Sequence, residues 1–286
     1  MKKGINIWSF AEGQSVEACM ELARSAGYDG IELALGEQGE LGMETTESGA
    51  GEIRRRAAEI GIELAGLATG LYWDYAFTSE DAATRRRASE IARRQIELAA
   101  WLEAKTILVI PGAVGVDFMP GSEVVRYDTA YDRALEAVSE LAEHAERHGV
   151  RLALENVWNK FLLSPLEFRD FVDKVGSPGV GVYLDVGNVV ATGYPEHWID
   201  ILDHRIFQVH FKDYRRQAGG LHGFVDLLAG DVDYPQVMQR LGAIGYDGYA
   251  VAEMLPPYTH HSDQIIYNTA AAMQAIMEPK EGNAHD

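Results

Sequence analysis

The amino-acid sequence predicts an α/β fold: a single (β/α)8 TIM barrel whose functional site lies at the C-terminal face of the strands. Three observations lead there. Short apolar runs alternate with amphipathic helical runs from end to end, and strands that alternate with helices imply a parallel sheet. Eight such units fit within 286 residues with no obvious linker. No glycine-rich dinucleotide fingerprint follows the first strand, which weakens the rival, a doubly wound open sheet.

The first strand is expected over 4–9, GINIWS, followed by a helix over 15–27 that Gly27 closes. The second strand is GIELAL, 30–35, and the second helix spans 49–60. The third strand is IELAGLAT, 62–69. A long helix is expected over 80–104, with Ser79 as N-cap and Glu80 and Asp81 in its first turn, where the helix dipole favours acids. Ile91, Leu98 and Leu102 recur along it at helical spacing. The fourth strand is TILVIPG, 106–112, and the fourth helix, 128–148, carries Leu135, Val138, Leu141, Ala142 and Ala145 on one face. The fifth strand opens RLALENVWN, and the helix after it starts at Ser164-Pro165, an N-cap followed by a proline at the first helical position. The sixth strand is VGVYLDVGN, 180–188, then a helix over 195–203, and the seventh strand is IFQVHFKD, 206–213. DYPQVMQRLGAIG is the seventh helix, YAVAEM the eighth strand, and 262–277 the eighth helix. AGYDGIEL and IGYDGYAVAE echo one another as helix-to-strand turns rather than as a repeat. One catalytic domain over 1–278 is expected, with 279–286 a frayed tail.

Composition narrows the function. Apolar residues make up 47%, enough for a large core, and the net charge of −19 is the wrong sign for a protein that must meet phosphates along a nucleic acid. Arg54–Arg56 and Arg85–Arg87 read as solvated helix faces among glutamates. The single cysteine, Cys19, lies on an apolar helix face and reads as core, so no disulfide framework is possible within the chain. The N-terminal apolar stretch is too short for a signal peptide, and no run approaches the ~20 residues of a membrane span. A cytoplasmic protein with no membrane partner is the expectation.

Strand periodicity then places the chemistry. With side chains alternating between faces, Leu152 and Leu154 oppose Ala153 and Glu155. Val180, Val182 and Leu184 oppose Gly181, Tyr183 and Asp185. Phe207 and Val209 oppose Gln208 and His210, and Ala250 and Ala252 oppose Tyr249, Val251 and Glu253. Glu155, Asp185, His210 and Glu253 therefore all face the barrel interior at the C-terminal ends of consecutive strands, the end where barrel enzymes keep their active sites. Three buried acids repel one another unless a cation compensates them. Three carboxylates and one imidazole suit one divalent ion of the Mn²⁺, Mg²⁺ or Co²⁺ kind better than a structural zinc.

ALEN, LDVGN, VHFKD and VAEM, in this order, resemble the sugar phosphate isomerase/epimerase superfamily of xylose isomerase-like barrels, and within it the ketose 3-epimerases that act on D-tagatose, D-allulose or L-ribulose 5-phosphate. The resemblance spans essentially the whole chain. It implies that Glu155, Asp185, His210 and Glu253 hold one Mn²⁺ or similar ion and that Glu155 and Glu253 double as the acid/base pair. It also implies a sugar or sugar phosphate substrate and a dimer or tetramer. Where free-sugar tagatose epimerases carry a histidine, this chain has Asn188, and YWDYAFTSEDAATRRRA also looks like the phosphate-sugar branch. The family's substrate-binding arginine maps to Arg216 or Arg215.

The residue types suit removal of a C3 proton by one glutamate and its return to the other face by the second. An aldose–ketose isomerase, or a lyase or dehydratase of the same barrel type acting on inosose or 3-oxo-glycoside substrates, is the alternative. Endonuclease IV chemistry would need a richer metal cluster and a basic surface, and a sugar-binding protein would not need paired glutamates. Asn6, Trp8, Trp73, Trp158, Asn188, Lys212 and Arg216 are the candidate substrate contacts, with Phe77 and His222 as further loop candidates. Lys212 would reach substrate or pair with Asp213.

Overall fold

The computed structural model describes residues 1–255 and 257–278; the predicted tail at 279–286 lies outside the described residues. The barrel strands are β1 (Lys2–Asn6), β2 (Gly30–Leu35), β3 (Glu63–Thr69), β4 (Thr106–Val109), β5 (Arg151–Glu155), β6 (Val180–Asp185) and β7 (Ile206–Phe211). A two-stranded hairpin of β8 (Asp213–Tyr214) and β9 (Phe224–Val225) intervenes before the last barrel strand, β10 (Tyr249–Ala252). The barrel closes in the order β1-β10-β7-β6-β5-β4-β3-β2, all parallel, as the alternating pattern predicted.

Around it run α1 (Val16–Ser25), α2 (Glu47–Ile60), α3 (Ala82–Leu102), α4 (Tyr127–His148), α5 (Pro165–Val175), the short α6 (Val186–Val190), α7 (Pro195–Leu202), α8 (Tyr234–Ala243) and α9 (Asp263–Met277). Their apolar stripes face the sheet: Ile91, Leu98 and Leu102 of α3 and Val138, Leu141 and Ala145 of α4 are buried. Cys19 is buried in the same core. None of the described helices is long and apolar enough to cross a membrane.

Several strand and helix ends differ from the sequence expectation, each for a local reason. The first strand stops at Asn6 rather than at residue 9, because the Asn6 side chain accepts the Trp8 N–H and turns the chain into a 3-10 turn, Ile7–Ser9. Ser79 does not cap the third helix. Asp81 does, accepting from the N–H groups of Ala83 and Thr84, while Ser79 Oγ takes the Asp81 N–H. The fourth strand ends at Val109. The sixth ends at Asp185, whose carboxylate accepts the Asn188 N–H at 2.8 Å and so caps α6. The seventh ends at Phe211, and the glycine-rich segment after it folds into the β8–β9 hairpin.

One facing prediction also fails. The β6–β7 register shifts between Val182 and Tyr183, which leaves Phe207 as the extra residue of a bulge. Its ring lies so close to Gly181 that a Cβ there would be 2.7 Å away, and the Arg151 guanidinium sits over it at 5.2 Å. Phe207 therefore packs against Gly181 instead of sharing a face with Val209.

Candidate active site and metal centre

Glu155 ends β5, Asp185 ends β6, His210 is the penultimate residue of β7, and Glu253 follows β10 directly. These strands are neighbours in the barrel, so the four side chains meet, each offering one ligand atom, with all four atoms within 4.8 Å of one another. All four are buried. His210 Nδ1 is 3.4 Å from Glu155, 3.7 Å from Glu253 and 4.0 Å from Asp185.

The cluster carries the marks of a cation site. His210 Nδ1 and Asp185 Oδ2 are buried polar atoms without a hydrogen bond, and such atoms call for an explanation. Lys212 reaches in from just beyond β7: its ammonium lies 3.0 Å from Asp185 Oδ2, outside hydrogen-bond direction, and pairs with Glu253. Of the two expectations for Lys212, the pair with Asp213 does not form, because the Asp213 carboxylate is taken up by backbone N–H groups. Three carboxylates thus meet one ammonium, and a divalent ion on the oxygen–nitrogen donor set fits both the charge and the orphaned atoms.

The electrostatics follow from burial and these contacts. Burial pushes the Glu155 carboxyl up to about 7, with the His210 contact pulling the other way. Burial would raise Glu253 too, but Lys212 and His210 outweigh it and hold Glu253 below the usual range. Burial disfavours charge on His210, yet Glu253, Glu32 and Glu155 together lift it well above its ordinary value.

The supports are as specific as the cluster. Asn156, next to Glu155, donates to the Asp185 carbonyl and accepts the Asp185 N–H, at 2.9 and 2.8 Å, so it fixes that residue's backbone from both sides. Asn188 donates to the Asn156 carbonyl at 3.0 Å, and the Asn188 carbonyl accepts the Trp158 indole N–H at 3.0 Å. Beneath the cluster lies Glu32, fully buried in the middle of β2. One of its oxygens meets His210 Nε2 at 2.9 Å and Asn6 Nδ2 at 2.6 Å, and the other accepts the Tyr183 hydroxyl at 2.8 Å. Gln208 donates to that hydroxyl at 3.1 Å.

The predicted contacts sort into two groups. Trp8, Trp73, Trp158, Asn188, Lys212 and His222 line one cavity of about 620 Å³ together with Glu155 and Glu253. Asn6 does not reach it, since both ends of its amide are used by Glu32 and Trp8. Arg216 donates to the Val190 carbonyl and stacks over Tyr194, and Arg215 donates to the Ala229 carbonyl; neither is among the cavity's lining residues. Phe77 is core, packed on Tyr72. Sequence reasoning missed Glu32, Asn156, Thr69, Phe118 and Phe224. Glu32 left a readable signal, an acid between Ile31 and Leu33 on a strand whose other face is apolar.

The family model described as xylose isomerase-like TIM barrel matches residues 20–276. The chain is 29% identical over 212 residues to 2-epi-5-epi-valiolone 7-phosphate 2-epimerase of Actinoplanes sp., covering 73% of this chain and 72% of that one. It is 25% identical over 249 residues to ketose 3-epimerase of Arthrobacter globiformis, covering 85% of this chain and 78% of that one. A solved structure of L-ribulose 3-epimerase superposes with a TM-score of 0.80 at 20% identity, covering 97% of this chain and 94% of the other.

Proposed function

The chain belongs to the xylose isomerase-like TIM barrel family, and from that premise we propose that it is a metal-dependent epimerase that inverts C3 of a ketose. One observation carries the reading. Glu155 and Glu253 come from strands on either side of the Asp185–His210 pair, and both border the same aromatic-walled cavity. Two carboxylates flanking one carbon supply a base on one face and an acid on the other. The relatives named as a ketose 3-epimerase and as 2-epi-5-epi-valiolone 7-phosphate 2-epimerase support the same class of reaction.

Glu155, Asp185, His210 and Glu253 would hold one divalent ion, Mn²⁺, Mg²⁺ or Co²⁺ by donor type. When bound, such an ion supplies Lewis-acid stabilisation of the negative charge that develops on the substrate oxygens. The chain does the rest. Glu155 removes the C3 proton of one epimer, Glu253 delivers a proton to the opposite face, and the roles exchange in reverse. Trp8, Trp73 and Trp158 cover the sugar and exclude water, while Asn188 and Lys212 present polar hydrogens toward its hydroxyls.

Incubation of the Mn²⁺-loaded protein with ketoses in D₂O tests this. The expected result is deuterium at C3 of the product. Deuterium at C1 instead would assign an aldose–ketose isomerase, and loss of a C–O bond would assign a lyase.

A further inference from the structure

We propose that the substrate of this cavity is uncharged: a free ketose, or one whose far end is a deoxy or other apolar group, rather than a ketose phosphate. The proposal rests on the epimerase reading above and narrows it.

The first ground is the loop after β7. Barrels that bind phosphate commonly do so there, with backbone N–H groups converging on the anion. In this chain the N–H groups do converge, but on the protein's own carboxylate. Tyr214, Leu228, Gly230 and Val232 donate to Asp213 at 2.8, 2.9, 3.0 and 3.1 Å. Asp213 has no exposed surface, and a Cβ on Gly230 would stand 2.1 Å from its oxygen. That nest is filled by an anion covalently attached to the strand.

The second ground is charge. Among the described residues, Lys212 is the one lysine or arginine that lines the cavity, and it is held by Asp185 and Glu253. With Glu32 beneath His210 counted, four carboxylates, one ammonium and one dication sum to −1 around a neutral imidazole, so nothing remains to balance a phosphate dianion. An unpaired charge taken out of water costs several kcal/mol. Arg215 and Arg216 stand nearby in sequence but are turned to main-chain carbonyls. His222 sits at the exposed rim.

The third ground is the wall. The cavity is further lined by Trp73, Phe118 and Leu255, and the Phe224 ring lies against the Lys212 ammonium, 5.0 Å from it. Across Trp158 and Leu221 it adjoins a second cavity of about 490 Å³ with Phe161, Leu162 and Trp198 in its lining, where the one cation, the exposed Lys160, is paired with Asp117 at 2.6 Å. These surfaces favour an apolar end over an ionised one.

The test compares a ketohexose, its 6-deoxy analogue and its 6-phosphate with the Mn²⁺-loaded protein, by C3 deuterium incorporation and, separately, by binding read from tryptophan fluorescence. Expected are a kcat/KM for the free and deoxy sugars about 100-fold or more above that for the phosphate, and the same order in binding. Leu221→Arg, which puts a cation on the shared wall, should raise kcat/KM for the phosphate through KM. A phosphate ester that exchanges its C3 proton with equal or higher kcat/KM overturns the proposal and leaves the epimerase reading standing. Tighter binding of the phosphate overturns it even where no sugar is epimerised. Binding of the free sugar without C3 exchange supports the substrate class and sinks the epimerase reading.

Discussion

Glu32 Oε2 lies 2.9 Å from His210 Nε2 across the barrel interior, and neither side chain has any exposed surface. A carboxylate only accepts, so Nε2 carries a hydrogen and Nδ1 is the atom turned to Glu155, Asp185 and Glu253. Glu32 thus orients the imidazole without touching the cavity. Glu32→Gln keeps an acceptor but loses the charge, and should weaken Mn²⁺ affinity about 10–100-fold. Glu32→Ala should weaken it further, because Asn6 and Tyr183 then lose their buried partner. Competition with a fluorescent chelator measures both, and wild-type affinity in Glu32→Ala would remove the positioning role.

The paired-glutamate mechanism predicts symmetrical damage. Glu155→Gln and Glu253→Gln should each lower turnover in both directions by about 10²–10⁴-fold, the usual contribution of a general acid or base. Metal content is measured in each variant, since both residues belong to the ligand cluster. A Gln variant that still exchanges the C3 proton of one epimer without inverting it identifies the surviving base. A metal-loaded Glu253→Gln protein working at the wild-type rate would refute the two-base scheme.

The raised Glu155 carboxyl has a pH signature. Its folded-state value of about 7 lies above its ordinary 4.5, so in the chelator-treated protein the folded chain keeps a proton that the unfolded chain gives up. The stability this adds is full below about 4.5 and is lost as pH rises through about 7. Chemical denaturation from pH 4.5 to 7.5 should therefore show the apoprotein losing stability relative to Glu155→Gln. Mn²⁺ binding at pH 6 should release protons, read as a buffer-dependent heat in calorimetry.

Lys212 bridges Asp185 and Glu253. Lys212→Met keeps the length and removes the charge, leaving buried acids uncompensated. The apoprotein should lose about 3–5 kcal/mol, whereas saturating Mn²⁺ should restore most of the melting temperature. Equal destabilisation with and without Mn²⁺ would mean that the ammonium and the metal do not share the work of neutralising the acids.

The cluster was legible because a strand repeats every two residues and Glu155, Asp185, His210 and Glu253 sit in phase at strand ends, where an acid after an apolar run stands out. Glu32 escaped the same test because it lies mid-strand, where no terminus marks it, and its partners are Asn6 on the neighbouring strand and two cross-barrel residues 151 and 178 positions away. Asn6 and Arg216 were plausible by position but are drawn to closer partners, and no sequence pattern reveals which hydrogen bond wins. Ser79 and Asp81 are both good caps; the helix takes the one whose carboxylate reaches two N–H groups. The bulge at Phe207 shifts a period-two reading by one residue, and nothing in IFQVHF announces it.

The strand order has a consequence for how such a protein changes over time. The four clustered side chains lie on or directly after β5, β6, β7 and β10, in the second half of the chain, while the cavity wall takes Trp8, Thr69, Trp73 and Phe118 from the first half and Trp158, Leu221, Phe224 and Leu255 from the second. The bond-making groups are thus inherited from one half of the gene, and the wall that selects the substrate from both. A recombinant that exchanges the first half, keeping Glu32 as the prop that crosses the join, alters which molecules fit while leaving the bond-making groups where they were.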